Sequence, residues 1–328
     1  MHANRREFLL FLAGTARASA RPSLSDRWRK IAAATDGTVG AAALQLSSGR
    51  AAVLNAEQRF PLASVCKVPI AMRALQLVDS GRLRRNQSVE ILPRDVWPSW
   101  PGDLGHRWPK ENTLPLDELI RLMIVESDNT AVQTLFRIVG EAAGMRSSLD
   151  EWKIDGLRID RYEGQCSLAA HGVLHPPPVR QWTPGLINKL NGQVPVAQQY
   201  TALRQFLLDP RDTATPSATV QLLARLSKGL LLSKSSSTYL IAVMSQTATG
   251  KQRLKGLLPA GTTVAHKTGT SATIRNLNAA TNDVGLILPG TPHEIVIAIY
   301  LKGSTRSEAA RDRIIAEIAK AAYDQWVI

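Results

Sequence analysis

Residues 63–69 read ASVCKVP and run directly into the apolar stretch IAMRALQLV. The pattern predicts a helix from about Ser64 to Ser80, stopped at Gly81, a residue suited to the left-handed turn that closes helices. Positions three apart share a helix face, so Ser64 and Lys67 can touch where unpaired backbone N–H groups collect. A serine hydroxyl is a weak nucleophile until a neighbour takes its proton, and a close lysine amine can do that. Taken alone, the heptapeptide reads more simply as an N-cap serine followed by a solvated lysine. The rest of the chain decides between the two.

Working outward, TVGAAALQL and RAAVLN flank Ser48-Gly49 and predict a hairpin, preceded by a helix over 26–33. Residues 86–115 read as loop, with WPSWPGDLGHRWP rich in tryptophan, proline and glycine. Helices are predicted over roughly 117–125 and 129–139, meeting at Ser-Asp-Asn. Residues 141–232 read as mainly helical, interrupted by HPPPVRQWTPG at 175–185, and 235–246 as helical again. TTVAHKTGT, DVGLILP and EIVIAIYLKG then predict three buried strands, and SEAARDRIIAEIAKAAYDQWV closes the chain as an amphipathic helix. Strands at both ends with helices between them imply an α/β plus all-α architecture. Its antiparallel sheet is built from both termini and flanked by helices, forming an α/β lobe from 21–63 and 217–328. A helical lobe, 64–216, is inserted into it, and the cleft between the lobes is the natural place for a site.

The N-terminus, MHANRREFLLFLAGTARASA, has a basic start, a short apolar stretch and the small-residue site Ala18-Ser19-Ala20. It predicts an export signal over 1–20 of twin-arginine type and a periplasmic protein without a stable membrane anchor. The formal charge is +13, and removing that segment (three arginines and one glutamate) leaves +11. Such a surface attracts anions, but the basic runs RWRK at 27–30 and RLRR at 82–85 are short and isolated, so nucleic acid is not an expected partner. Neither Cys-x-x-Cys nor a histidine cluster at ligand spacing occurs, so no metal and no cofactor are expected.

Three motifs occur once each: Ser64-x-x-Lys67, Ser127-Asp128-Asn129 between two helices, and Lys267-Thr268-Gly269 on a strand. In this order and context they resemble the serine-reactive penicillin-recognising enzymes, specifically class A β-lactamases. The segments GLLPAGTTVAHKTGTS and AATNDVG look like the extended-spectrum subgroup carrying HKTGT and AATND. That family also has a loop glutamate, commonly within Arg-Trp-Glu. Here Asp160-Arg161-Tyr162-Glu163 places Glu163 36 residues after Ser127. DPRDTATP at 209–216 matches the far end of the loop, making Arg161 and Asp212 the implied clasp.

The resemblance implies a small-molecule β-lactam substrate, a monomer, and a role for each residue. Ser64 attacks the lactam carbonyl, and its proton goes to Lys67 or through water to Glu163. Backbone N–H groups of Ser64 and Thr270 face the oxyanion. Ser127, helped by Lys67 and Lys267, protonates the leaving nitrogen. The strand Lys267-Thr268-Gly269 and Thr270 hold the substrate carboxylate, and Asn129 its amide side chain. Glu163 activates the deacylating water. Trp97 either walls the cleft mouth or simply packs its loop, and Arg275 is a weak candidate for carboxylate binding.

Three departures stand out. Between Glu163 and Asp212 lie far more residues than most of the family has, an insertion over about 164–208 that either borders the pocket or folds away from it. The family's asparagine four residues after the glutamate is Ser167, which implies slower deacylation for some substrates. Cys66 sits inside the Ser-x-x-Lys turn and Cys166 three residues beyond Glu163, so a disulfide pinning the loop to the catalytic helix is an open possibility beside two free thiols. The insertion also leaves open a D,D-peptidase, a penicillin-binding protein or a slowly deacylating β-lactam sensor of the same fold. A basic polymer-binding protein is the remaining alternative, and the intact motif set argues against it.

Overall fold

The computed structural model describes residues 22–98 and 102–327. The expected export signal lies outside them. In chain order, helix α1 (Leu24–Ala32) leads into the hairpin β1 (Thr38–Gln45) and β2 (Ala51–Leu54). Helix α2 (Lys67–Asp79) follows, then α3 (Leu116–Arg121), α4 (Asn129–Ile138), α5 (Glu141–Glu151) and α6 (Glu163–Ala170). The long segment after Glu163 supplies α7 (Leu186–Gln193) and α8 (Val196–Phe206). Helices α9 (Pro216–Ser227) and α10 (Lys234–Ser245) return the chain to strands β3 (Val264–Thr270), β4 (Thr281–Ile287) and β5 (Ile295–Lys302), and α11 (Glu308–Trp326) ends it. Among the described residues, no helix is long and apolar enough to cross a membrane.

The five strands form one antiparallel sheet in the order β2-β1-β5-β4-β3, with Ala42 opposite Ala298 and Val284 opposite both Ala298 and Lys267. The sheet is thus built from both ends of the chain, as the sequence predicts. Both faces of its centre are covered. On β5 the alternate residues Ile295, Ile297, Ile299 and Leu301 pack with Trp28 of α1 and Ile314, Ile315 and Ile318 of α11. Val296, Ala298 and Tyr300 face the other way, into a larger core shared with α2, α9 and α10. This explains why EIVIAIYLK reads as a continuous apolar run although its side chains alternate.

The expected helix at 64–80 forms with one change: Ala63–Cys66 is a tighter 3-10 turn, and the α-helix proper starts at Lys67. Gly81 follows it at φ +73°, in the left-handed conformation expected of a terminating glycine. The 86–115 region, expected as loop, contains two short strands, Ser88–Glu90 and Thr113–Pro115, which pair with each other; at three residues each they are too short for a strand pattern to show in the sequence.

The insertion folds against the cleft. Leu203 and Phe206 of α8 pack with Ala170 of α6 and with Ile274, Leu277 and Ala279. Trp182 and Ile187 pack with Leu168 and Trp97. Gly164 permits this approach, because a Cβ there would lie 2.5 Å from Ile187 Cδ1 and 2.6 Å from the Trp182 ring.

Candidate active site

The 3-10 turn sets Ser64 beside the edge strand β3. The contact needs Gly269: a Cβ on it would lie 2.7 Å from the Leu62 carbonyl and 3.1 Å from Val65 Cγ2. The glycine of Lys-Thr-Gly therefore serves close packing of strand against turn. Ala63 has φ +45°, an uncommon value for a side chain of its type, so the tertiary frame holds the residue before Ser64 in a strained conformation.

Ser127 is also held unusually. Residues Leu122–Glu126 form a widened π-helical turn, after which Ser127 has φ +60°. Asp128 fixes this break: its carboxylate accepts the backbone N–H groups of Ala131 at 2.7 Å and Leu104 at 3.0 Å. The result points the Ser127 hydroxyl between two buried amines, Lys67 Nζ at 3.2 Å and Lys267 Nζ at 2.9 Å. Lys67 Nζ also donates to the Ser127 carbonyl at 2.6 Å and to Asn129 Oδ1 at 3.0 Å. Burial pushes the Lys67 amine below its ordinary value, with Glu163 acting in the opposite direction. Burial lowers Lys267 strongly, and the positive Lys67 beside it adds to the effect. Two amines sharing one hydroxyl therefore give up protons more readily than free lysines.

Glu163 opens α6. Its loop is anchored by Asp212, whose carboxylate accepts the backbone N–H groups of Asp160 (2.8 Å) and Arg161 (3.0 Å) and pairs with Arg161 Nε at 2.5 Å. Tyr162, where the family has tryptophan, packs edge-on to Phe136 and Trp182, and its hydroxyl donates to Glu141 at 2.7 Å. Cys66 and Cys166 are free thiols, so the disulfide left open by their spacing is not formed. Cys66 Sγ instead donates to Glu163 Oε2 at 3.7 Å, which directs it at the carboxylate.

These elements enclose a cleft of about 580 Å³. Ser64, Ser127, Asn129, Glu163, Ser167, Thr268, Thr270 and Trp97 line it, while the side chains of Lys67 and Lys267 are fully buried behind the wall. Trp97 does both things its sequence allowed: it lines the cleft, yet it is 9% exposed, and its Nε1 donates to Asn188 of α7. The insertion contributes to the wall through Phe206, which answers whether it borders the pocket. Ser167 Oγ accepts from Asn191 Nδ2 at 2.9 Å.

Two corrections concern arginines. Arg275 lies outside the cleft, exposed, with its guanidinium over the Tyr200 ring of α8. Arg253, which the sequence reading does not single out, lines the cleft instead. Buried and paired with Asp312 at 2.7 Å, it donates to Thr270 Oγ1 at 2.8 Å and to the Gly269 carbonyl at 3.1 Å. Its loop is held from below by Asp283, which accepts the Leu254 N–H and contacts His266 Nδ1 at 2.9 Å. Nothing local in GKQRLKG announces this role. The buried HKTGT histidine and AATND aspartate were the available signal, since a buried polar pair needs something to support.

The description "Beta-lactamase enzyme family" matches residues 23–326 of this chain. The chain belongs to that family. It is 29% identical over 303 residues to the extended-spectrum β-lactamase PER-1 of Pseudomonas aeruginosa, a match covering 92% of this chain and 87% of that protein. A β-lactamase structure from Chitinophaga pinensis superposes with a TM-score of 0.76 at 30% identity, over 92% of this chain and 98% of that one. An ancestral class A β-lactamase matches at 27% identity and a TM-score of 0.73, over 92% of this chain and all of the other. The protein is a class A-like β-lactamase, a hydrolase of the β-lactam amide bond.

Proposed function

We propose that this β-lactamase works through a serine acyl-enzyme cleared by a glutamate-activated water. The observation that carries the reading is that Ser64 and Glu163 line one cleft, with the buried Lys67–Ser127–Lys267 chain behind them. Ser64 Oγ forms a bond to the lactam carbonyl carbon while its proton passes to the Lys67 amine, whose lowered affinity for protons leaves it more often neutral. Backbone N–H groups of Ser64 and Thr270 stabilise the oxyanion. The lactam C–N bond then breaks, and the nitrogen takes a proton from Ser127, replenished from the adjoining amines. Thr268, Thr270 and Lys267 orient the substrate carboxylate, with Arg253 adding positive charge behind Thr270. Asn129 and Trp97 flank the substrate side chain. In the second half-reaction a water gives its proton to Glu163 and attacks the ester carbonyl; the bond to Ser64 Oγ then breaks, and Glu163 returns that proton to restore the serine hydroxyl and its own carboxylate. The Arg161–Asp212 clasp holds Glu163 in place for this step.

The same reading makes the chain an exported, monomeric resistance enzyme that meets β-lactams in the periplasm. Hydrolysis of a chromogenic cephalosporin, followed together with intact protein mass, tests the mechanism. Turnover is expected in the wild type, and in Glu163→Ala a trapped adduct on Ser64. A stable adduct on the wild type without turnover would instead indicate a peptidase or a sensor.

A further inference from the structure

Helix α7 touches the walls of the cleft at three points along one side. Ile187 packs on Gly164, next to Glu163. Asn188 Oδ1 accepts from Trp97 Nε1 at 3.0 Å, and one turn further Asn191 Nδ2 donates to Ser167 Oγ at 2.9 Å. Ser167 is four residues after Glu163, so both side chains project from the same face of α6, and both line the cleft. Ser167 is gripped from both ends, because His171 Nδ1 bonds its backbone carbonyl at 2.8 Å. Asn191 is itself fixed: Gln199 Nε2 donates to its carbonyl at 3.2 Å and to that of Val194 at 2.7 Å. Its Oδ1 is buried with no hydrogen-bond partner among the described residues. A buried amide with one half unsatisfied is costly to keep for packing alone, which points to the bond its other half makes.

A hydroxyl has one proton and two lone pairs. Asn191 occupies one lone pair of Ser167 and so restricts the rotation of its O–H. We propose that Asn191 is a positioning residue for deacylation: it turns the Ser167 hydroxyl so that its proton is donated into the cleft, to the oxygen of the water that Glu163 activates. The water can then give its own proton to Glu163 with its second lone pair aimed at the ester carbonyl. Through this bond the inserted segment contributes to the hydrolytic half of the site. This role rests on the glutamate-assisted mechanism proposed above.

The test separates the two half-reactions in the full mature chain with a chromogenic cephalosporin, using quenched intact-mass measurements for acylation and deacylation rates. Asn191→Ala is expected to slow deacylation about tenfold, the order expected for one lost side-chain hydrogen bond, with acylation unchanged within twofold and acyl-enzyme accumulating. Asn191→Asp, which keeps the shape but removes both N–H groups, is expected to do the same, and it covers the case in which the alanine variant folds poorly. Ser167→Ala with Asn191→Ala should be no slower than the slower single variant. Ser167→Asn in the Asn191→Ala background places the amide at the cleft itself and should recover most of the rate, which a purely structural role for Asn191 would not allow. Wild-type turnover with undiminished deacylation in both Asn191 variants overturns the proposal, as does a multiplicative loss in the double alanine variant. Absence of wild-type turnover would instead overturn the underlying mechanism.

Discussion

Removing the Asp212 carboxylate is the sharpest perturbation of the loop that carries Glu163. Both side chains of the Arg161–Asp212 pair are 9% exposed, so the pair is effectively buried. Asp212→Ala strands the guanidinium and leaves the N–H groups of Asp160 and Arg161 without their acceptor. Breaking a buried pair by deleting one partner costs about 3–5 kcal/mol. Asp209, 3.2 Å from Arg161 Nη1, offsets part of this. Alanine at φ +52° adds about 1–2 kcal/mol of backbone strain. The expected net loss is about 4 kcal/mol, a large share of the about 5–15 kcal/mol typical of a folded domain. Asp212→Asn keeps an acceptor for the two N–H groups and tolerates the left-handed backbone, so about half that loss is expected. Urea denaturation measures both values, and quenched mass kinetics should show deacylation falling with them. In the double variant Arg161→Met/Asp212→Ala no charge is stranded, so its loss should be at least about 1.5 kcal/mol smaller than the sum of the singles. An Asp212→Ala loss below about 1 kcal/mol with normal deacylation would refute the clasp.

Four further outcomes follow from the same geometry. Gly164→Ala drives a methyl into Ile187 and the Trp182 ring, so the about 1 kcal/mol that alanine gains in a helix should be outweighed by about 1–3 kcal/mol of overpacking; a stabilised variant by thermal melting would contradict the packing of α7 on α6. In Glu163→Ala protein, where Lys67 is the remaining base, the burst rate of acylation should rise with pH and level off below the 10.5 of a free lysine, because burial lowers this amine; an inflection at or above 10.5 would remove Lys67 from that role. Arg253→Ala should raise KM about tenfold for carboxylate-bearing substrates with kcat changed less than threefold, and an unchanged KM would show that its bond to Thr270 does not reach the substrate. Hydrogen bonds from the Thr305 and Ser304 side chains hold Asp36 well below 3.8. Its stabilising contribution is therefore present above 3.8 and lost as pH falls through the lower folded value, so the stability gap between wild type and Asp36→Asn should close on acidification.

What is legible in the chain is whatever a local motif carries, including the two motif ends that place Arg161 and Asp212. Ser64 and Lys67 share one turn, Ser127 and Asn129 flank one break, and Lys267 to Thr270 lie on one strand, so motif spacing already carried their neighbourhood. The sheet was legible because both faces are covered, which writes β5 as an unbroken apolar run. Arg253, Asn188 and Asn191 were not legible, since each acts through a partner far along the chain: Thr270, Trp97 and Ser167. Arg275, a weak candidate in the sequence, sits at φ +48° with its guanidinium over the Tyr200 ring. The cysteine pair was ambiguous for a related reason. The motifs put Cys66 on the catalytic turn and Cys166 beside Glu163, and the direction of each thiol is set by tertiary packing.

The Cys66 thiol has a practical consequence. It is 8% exposed, donates to Glu163, and burial raises its proton affinity, so it is a poor nucleophile while the loop is seated. It also lines the cleft, so a small alkylating reagent entering there meets it beside Glu163. The labelling rate at Cys66, set beside that of an unfolded peptide, therefore reads how strongly the seated loop and Glu163 protect this thiol. Slow-clearing inhibitors could then be sorted by whether they clamp this loop shut or prise it up, with no probe introduced into the protein.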